Sequence, residues 1–229
     1  MKIYQLKDGY RYNSDSVFLY NFIKEFGVFG EVLDVGAGSG VVGFLLKRDF
    51  KNINLTCLEI QKQNLEILEK NSRQNGIDCD IICADFGEFK SEKRFDFIIS
   101  NPPFYNGNIK QSENEHKKIS RYASNLSLEN LIKTANSHLK PQGCFIFCYD
   151  AQQIAEICVN LKSFKLNLIN LQFIFPNESK NANLAIFAAK KSSKSFCKIL
   201  QPIFVNSGEF YTQKAQEIFK KTELESVDL

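Results

Sequence analysis

The chain has 229 residues, of which 44% are hydrophobic and 24% charged, with a net charge of +3. That mix is ordinary for a folded globular protein and excludes wholesale disorder, collagen and fibrous repeats, and at roughly 150 residues per domain the length suggests one domain over residues 1–229. The charge is uneven: residues 1–109 carry 13 Lys or Arg against 15 Asp or Glu, residues 110–198 carry 13 against 6, and residues 199–229 carry 3 against 5, so only the middle block is basic, which hints at a polyanionic partner.

In chain order, Met1 to Asn13 reads as a hairpin turning at Lys7-Asp8-Gly9, followed by an amphipathic helix from a Ser14 cap to about Phe26. This unit is expected to be appended to a core that spans residues 31–190. From Glu31 strand and helix alternate: a strand Val32 to Val35, a Gly-rich turn, a helix to about Arg48, a strand Ile53 to Glu59, and a helix Gln61 to Asn75 closed by Gly76. Strands at Asp80 to Cys83 and Phe95 to Ser100 follow. A long polar stretch, Asn101 to Asn125, precedes a helix near Leu128 to Leu139, the Pro141-Gln142-Gly143 turn and a strand Cys144 to Tyr149.

After a helix from about Ala151, the runs Leu166 to Phe175 and Leu184 to Ala189 read as strands. The connection between them is too short for a crossover helix, so they are expected to pair antiparallel at one end of the sheet. Ile199 to Val205 reads as a further strand and Tyr211 starts a terminal helix. The predicted fold class is therefore α/β, a Rossmann-like doubly wound sheet covered on both faces in three layers, with an antiparallel end hairpin.

No apolar run approaches the roughly 18 residues of a membrane-spanning helix, and Met1 to Gly9 lacks the apolar stretch of a signal peptide, so a cytoplasmic protein with no membrane contact is expected. Seven cysteines, with no CxxC pair, argue against a disulfide framework or a metal site. Cys79 and Cys83, like Cys144 and Cys148, are four apart in apolar runs and read as small buried residues on one strand face.

Asp34-Val35-Gly36-Ala37-Gly38-Ser39-Gly40 lies between a strand and a helix, where glycines let the backbone turn tightly and let a ligand approach a helix N-terminus. Gly38 to Gly43 also matches the dinucleotide pattern G-x-G-x-x-G, which leaves a nicotinamide dinucleotide open as the ligand. Asp34 argues otherwise, because a carboxylate at the strand end serves a pyrophosphate poorly but suits S-adenosylmethionine, which carries an ammonium and a sulfonium. Glu59 ends the next strand, where an acid can grip ribose hydroxyls. Asp85 and Phe86 follow the third strand and offer a carboxylate for the adenine amine and a ring for its face.

The strand Phe95 to Ser100 runs into Asn101-Pro102-Pro103-Phe104. In an open parallel sheet ligands bind at the C-terminal strand ends, near the switch point, so Asn101 is expected to face the cofactor. A planar NH₂ group has its lone pair delocalised and must have it localised before it attacks a methyl group. The Asn101 side-chain oxygen and the Pro102 carbonyl can each accept one N–H and hold the nitrogen as it turns tetrahedral and acquires charge. The prolines fix φ and remove donors that would face a donor substrate, and Phe104 offers a face for a planar group.

These segments, with Tyr12-Asn13-Ser14-Asp15-Ser16-Val17-Phe18-Leu19, Arg94 to Tyr105, Asn114-Glu115-His116 with Arg121, Phe173 to Pro176 and Ala182-Asn183-Leu184, resemble the bacterial tRNA1(Val) adenine-N6-methyltransferases. The resemblance implies a seven-stranded class I fold and transfer of a methyl group from S-adenosylmethionine to an adenine N6 next to a tRNA anticodon. It also implies cofactor binding by Asp34, Gly36, Gly38, Glu59 and Asp85, to which the local sequence adds Ala37, Gly40, Phe86 and Asn101, and base handling by Asn101, Pro102 and Phe104 beside Pro103. The family often has Tyr where this chain has Phe104, and both rings stack.

Ribosomal RNA guanine-N2 methyltransferases, glutamine-N5 methyltransferases of release factors and a cofactor-sensing RNA-binding module are the alternatives. The expected partner is tRNA, bound by a monomer. Contacts are expected from Tyr105, from Lys110, Lys117, Lys118 and Arg121, and from Lys190, Lys191, Lys194 and Lys198. Arg121 stands out because a planar bidentate donor suits a phosphate. His116 and His138 are expected on the surface. Recognition would fall to the segments before Gly30, after Phe104 and beyond Ala189.

Overall fold

Apolar residues on alternate sides of the strands divide the core into two faces, and helices cover both. The computed structural model describes residues 1–7, 11–103 and 126–229. The elements are β1 (Lys2–Gln5), α1 (Ser14–Lys24), β2 (Gly30–Val35), α2 (Val41–Asp49), β3 (Ile53–Glu59), α3 (Lys62–Asn75), β4 (Asp80–Cys83) and β5 (Phe95–Ser100). After them come α4 (Leu128–His138), β6 (Leu139–Asp150), α5 (Ile154–Ser163), β7 (Leu166–Phe175), β8 (Leu184–Lys191), β9 (Lys198–Ile199) and β10 (Ile203–Phe204). A two-residue pair, β11 (Asn206–Ser207) and β12 (Phe210–Tyr211), leads into α6 (Gln213–Thr222) and β13 (Glu225–Asp228).

The main sheet has the order β10-β7-β8-β6-β5-β2-β3-β4, with β9 also on β7. All its pairs are parallel except those of β8, which runs antiparallel to both β6 and β7. The predicted end hairpin is present, with its second strand inserted between the first and the rest of the sheet. On β6, Cys144, Ile146 and Cys148 face α1, α2 and α6, while Phe145, Phe147 and Tyr149 face α4 and α5. Phe147 stacks on Phe145 at 4.4 Å and on its cross-strand partner Phe187 at 5.2 Å, which makes this ladder one of the largest apolar contributions to the core.

Four expectations change in and around the main sheet. The turn at Pro141-Gln142-Gly143 is a bulge inside β6: Gln142 has φ +64°, and the register jumps from Phe95 opposite Leu139 to Phe97 opposite Cys144. The strand expected over 199–205 is split into β9 and β10, because Pro202 has no N–H to donate. Cys79 is half-buried and Cys83 exposed, unlike buried Cys144 and Cys148, since β4 is the edge of the sheet. His138 is buried at the end of α4, where Nδ1 meets the Thr134 carbonyl at 3.0 Å.

The N-terminal segment differs most. The expected hairpin partner of β1 is replaced by β13, which pairs parallel with it from Lys2 opposite Glu225 to Gln5 opposite Asp228; Asp8 to Tyr10 lie outside the described residues. The other edge of β1 is satisfied by side chains one helical turn apart on α3. Asn75 bridges Lys2 and Asn71 bridges Tyr4, each accepting from the backbone N–H and donating to the carbonyl at 2.7 to 3.0 Å.

Helix α1 is capped by Asn13, not Ser14, and seven of its eleven residues are buried. It packs against α2, α6, β6 and β8, so it is a central element of one helical layer. Arg48 of α2 donates to the last carbonyls of α6, Lys221 and Thr222. It also meets Asp49 at 2.7 Å, which Lys24 of α1 reaches at the same distance.

Candidate active site

The C-terminal ends of β2, β3, β4 and β5 open into one cleft of about 1110 Å³ counted out to its mouth. The glycine loop forms its floor. Gly36 and Ala37 donate to the Leu58 carbonyl at 2.8 and 3.1 Å, and Gly40 closes a turn on Ala37 at 2.8 Å. Gly36, Gly38 and Gly40 all have positive φ. At Gly40 the restriction is also steric, because a Cβ would lie 2.6 Å from the Phe44 ring and 2.7 Å from Leu68.

Asp34 lies beneath the loop and lines the cleft. Its Oδ2 accepts from the Gly43 N–H of α2 at 3.0 Å, and it is only 3% exposed. Burial pushes its carboxyl up to about 7, the Gly43 hydrogen bond opposes this, and the nearby Glu59 charge adds to it. The buried acid is thus poised to ionise when a cation arrives.

Glu59 is also buried, but it is already engaged. Its Oε1 accepts from Ile60 and Gln61, and its Oε2 from Gly38, each at 2.9 Å. The side chain therefore shapes the glycine loop as well as facing the cleft. A carboxylate oxygen that accepts from one N–H, as Oε2 does from Gly38, can accept a second hydrogen bond from a hydroxyl. Asp85 accepts from Gly87 at 2.8 Å and caps a single 3-10 turn. Phe86 lines the cleft, and its ring packs against Phe89 and His138.

Asn101 stands just past β5, beside β2, where the register sets Ser100 opposite Val35. Its Nδ2 donates to Ser16 Oγ at 3.0 Å, and its Oδ1 accepts from the Cys148 thiol at 2.8 Å. Pro102 and Pro103 continue the cleft wall. Phe104, Tyr105, Arg121 and the Lys110, Lys117 and Lys118 group lie outside the described residues.

Lys190 and Lys191 are not brought to the cleft. They end β8, with Lys191 opposite Leu166 at the start of β7, whereas Leu184 lies opposite Asp150 at the C-terminal end of β6. Seven residues of antiparallel strand separate the two ends by roughly 24 Å. Lys191 instead donates to the carbonyls of Asn136 and Leu139 at 2.6 and 3.0 Å, closing the end of α4. Lys191 thus has a structural role at the end of α4, and Lys190 precedes it on β8 opposite Cys144.

The structure adds cleft residues that motif reading did not single out as a site, among them Tyr12, Ser16, Ile60 and Asn64. Tyr12 is positioned by its backbone N–H, which donates to Gln5 Oε1 at 2.8 Å, and burial raises its phenol above the ordinary value despite Arg11. The available signal was the Asn13 cap, which fixes Ser16 in the first turn of α1.

The family model described as methyltransferase small domain matches residues 12–165. A ribosomal RNA small subunit methyltransferase C of Actinobacillus pleuropneumoniae is 41% identical over 78 residues, 34% of this chain. That alignment spans only 23% of the relative's own length. A tRNA1(Val) (adenine(37)-N6)-methyltransferase of Flavobacterium johnsoniae is 22% identical over 95% of this chain and 94% of its own. Among solved structures, the 16S rRNA N2 G1207 methyltransferase of T. Thermophilus, in complex with AdoMet and guanosine, matches at a TM-score of 0.58. It is 21% identical and covers 81% of this chain and 45% of its own; at that identity the likeness speaks for the fold.

Proposed function

The chain belongs to the methyltransferase small domain family, and on that premise we propose that it transfers a methyl group from S-adenosylmethionine to the exocyclic N6 of an adenine in tRNA. The observation that carries the proposal is the meeting of Asn101-Pro102-Pro103 with the glycine loop, Asp34, Glu59 and Asp85 in one cleft. The residues fit the cofactor: a buried carboxylate raised to about 7 that a cation would favour in its ionised form, an acid at the next strand end, and a loop whose three glycines all have positive φ. S-adenosylmethionine supplies an electrophilic methyl group there.

The chain's own groups do the rest. Asn101 Oδ1 and the Pro102 carbonyl each accept a hydrogen bond from one amine N–H and hold the nitrogen as it turns tetrahedral; the N–C bond forms as the S–C bond breaks, and the surplus proton leaves to solvent after transfer. Neither proline carries an N–H that would face the donor amine. Alignment supplies most of the rate, so no strong base is needed.

The tRNA reading is supported by a relative that matches over almost the whole chain. A second reading, guanine N2 of ribosomal RNA as named for the T. Thermophilus enzyme, is favoured by the higher identity of the shorter alignment to a ribosomal RNA methyltransferase. The test is incubation of the purified protein with labelled S-adenosylmethionine and, separately, total tRNA, ribosomal RNA and release factor, with the product nucleoside or residue identified by mass spectrometry. N6-methyladenosine in tRNA is expected. N2-methylguanosine in ribosomal RNA or N5-methylglutamine would replace the assignment.

A further inference from the structure

The Asn101 carboxamide does not stand alone. Ser16, from the first turn of α1, accepts from its Nδ2 at 3.0 Å, and Cys148, on the neighbouring strand β6, donates to its Oδ1 at 2.8 Å. Neither partner belongs to the Asn-Pro-Pro motif; they come from segments 85 residues before and 47 residues after Asn101. We propose that Cys148 and Ser16 are positioning residues that fix the rotation of the Asn101 amide so that its second Oδ1 lone pair points at the methyl-accepting amine. This rests on the assignment of Asn101 above.

The chemistry of the two partners decides which end of the amide faces which wall. A thiol is weak both as donor and as acceptor; here its S–H donates, which sets the amide oxygen and not the NH₂ group against it. Cys148 is fully buried, and burial, with the charge of Asp15 acting the same way, holds its sulfur well into the protonated form, so the donor is always present. Ser16, also buried, accepts the N–H at the other end. An amide oxygen has two lone pairs. With one taken by the thiol, the other is left for a substrate N–H, while Ser16, which itself lines the cleft, occupies Nδ2.

The cap that sets Ser16 is itself fixed. Asn13 Oδ1 accepts from Asp15 N at 3.1 Å, and Asn13 Nδ2 donates to Asp15 Oδ2 at 2.8 Å. The segment from Asn13 to Ser16 thus acts on the reaction through Asn101, with no substrate contact required of it.

The test compares kcat and KM for Cys148→Ala, Cys148→Ser, Ser16→Ala and Asn101→Ala, using labelled S-adenosylmethionine and whichever RNA the wild type methylates. Cys144→Ala is the control, because Cys144 is buried on the same face of β6, two strand repeats away. Losing one amide partner is expected to lower kcat about tenfold, with KM for S-adenosylmethionine within about twofold and Cys148→Ser recovering most of the activity. Cys144→Ala should keep the wild-type kcat.

Wild-type kcat in Cys148→Ala, or a Cys148→Ser as slow as the alanine variant, overturns the proposal. Full activity in Asn101→Ala overturns the underlying assignment instead. A crystal structure of Cys148→Ala gives a readout that needs no RNA: the Asn101 amide should rotate from its wild-type orientation, and an unchanged rotamer also counts against the proposal.

Discussion

Asn71 of α3 donates to the carbonyl of Ser39 at 2.9 Å, while the same side chain brackets Tyr4 of β1. One buried amide therefore ties the glycine loop to the strand that joins the two ends of the chain. Replacing Asn71 by Ala takes this partner from the Tyr4 N–H and from the carbonyls of Tyr4 and Ser39, which should destabilise the fold by about 2 to 4 kcal/mol. Chemical denaturation measures this. Calorimetric titration with S-adenosylmethionine should also show weaker binding, since the Ser39 carbonyl loses its anchor.

The pH dependence of Asp34 has a definite sign. Its folded pKa of about 7 lies above the ordinary 3.8, so stability is full below the unfolded value and is lost as pH rises from about 4 through about 7. Asp34→Asn should flatten that slope and raise the melting temperature of the ligand-free protein at pH 8. The same substitution should weaken S-adenosylmethionine binding. Wild-type binding near pH 7 should release protons, visible as a dependence of the calorimetric enthalpy on the buffer.

Asp49 behaves oppositely. Burial pushes its carboxyl up, but hydrogen bonds from Arg48, Lys24 and Tyr20 prevail and hold it at about 2. The stability it contributes is therefore present above the unfolded value near 3.8 and lost as pH falls through about 2. Asp49→Asn should shift acid unfolding to higher pH, followed by circular dichroism, and should free the end of α6 to earlier hydrogen exchange.

Gly43 lies inside α2, where alanine ordinarily stabilises a helix. Here a Cβ would sit 2.8 Å from Asp34 Oδ2 and 3.2 Å from Leu55. Gly43→Ala should therefore destabilise by about 1 to 3 kcal/mol and weaken S-adenosylmethionine binding, as read by thermal melts with and without the cofactor. A melting temperature at or above wild type would show that Asp34 can yield.

Much of this molecule was legible before any coordinates. Strand and helix alternation, the glycine loop, the acids at successive strand ends and Asn101-Pro102-Pro103 are local patterns, and local patterns dictate elements and strand-end positions. The sequence by itself determined the parallel α/β sheet and the residues meeting at its C-terminal edge. Only the tertiary structure decided that α1 is a buried helix, that β1 pairs with β13, and that Asn101 is held by Ser16 and Cys148. It also decided that Lys190 and Lys191 lie away from the cleft. These depend on contacts between residues far apart in the chain and on the direction of β8, neither of which leaves a mark on hydrophobic periodicity.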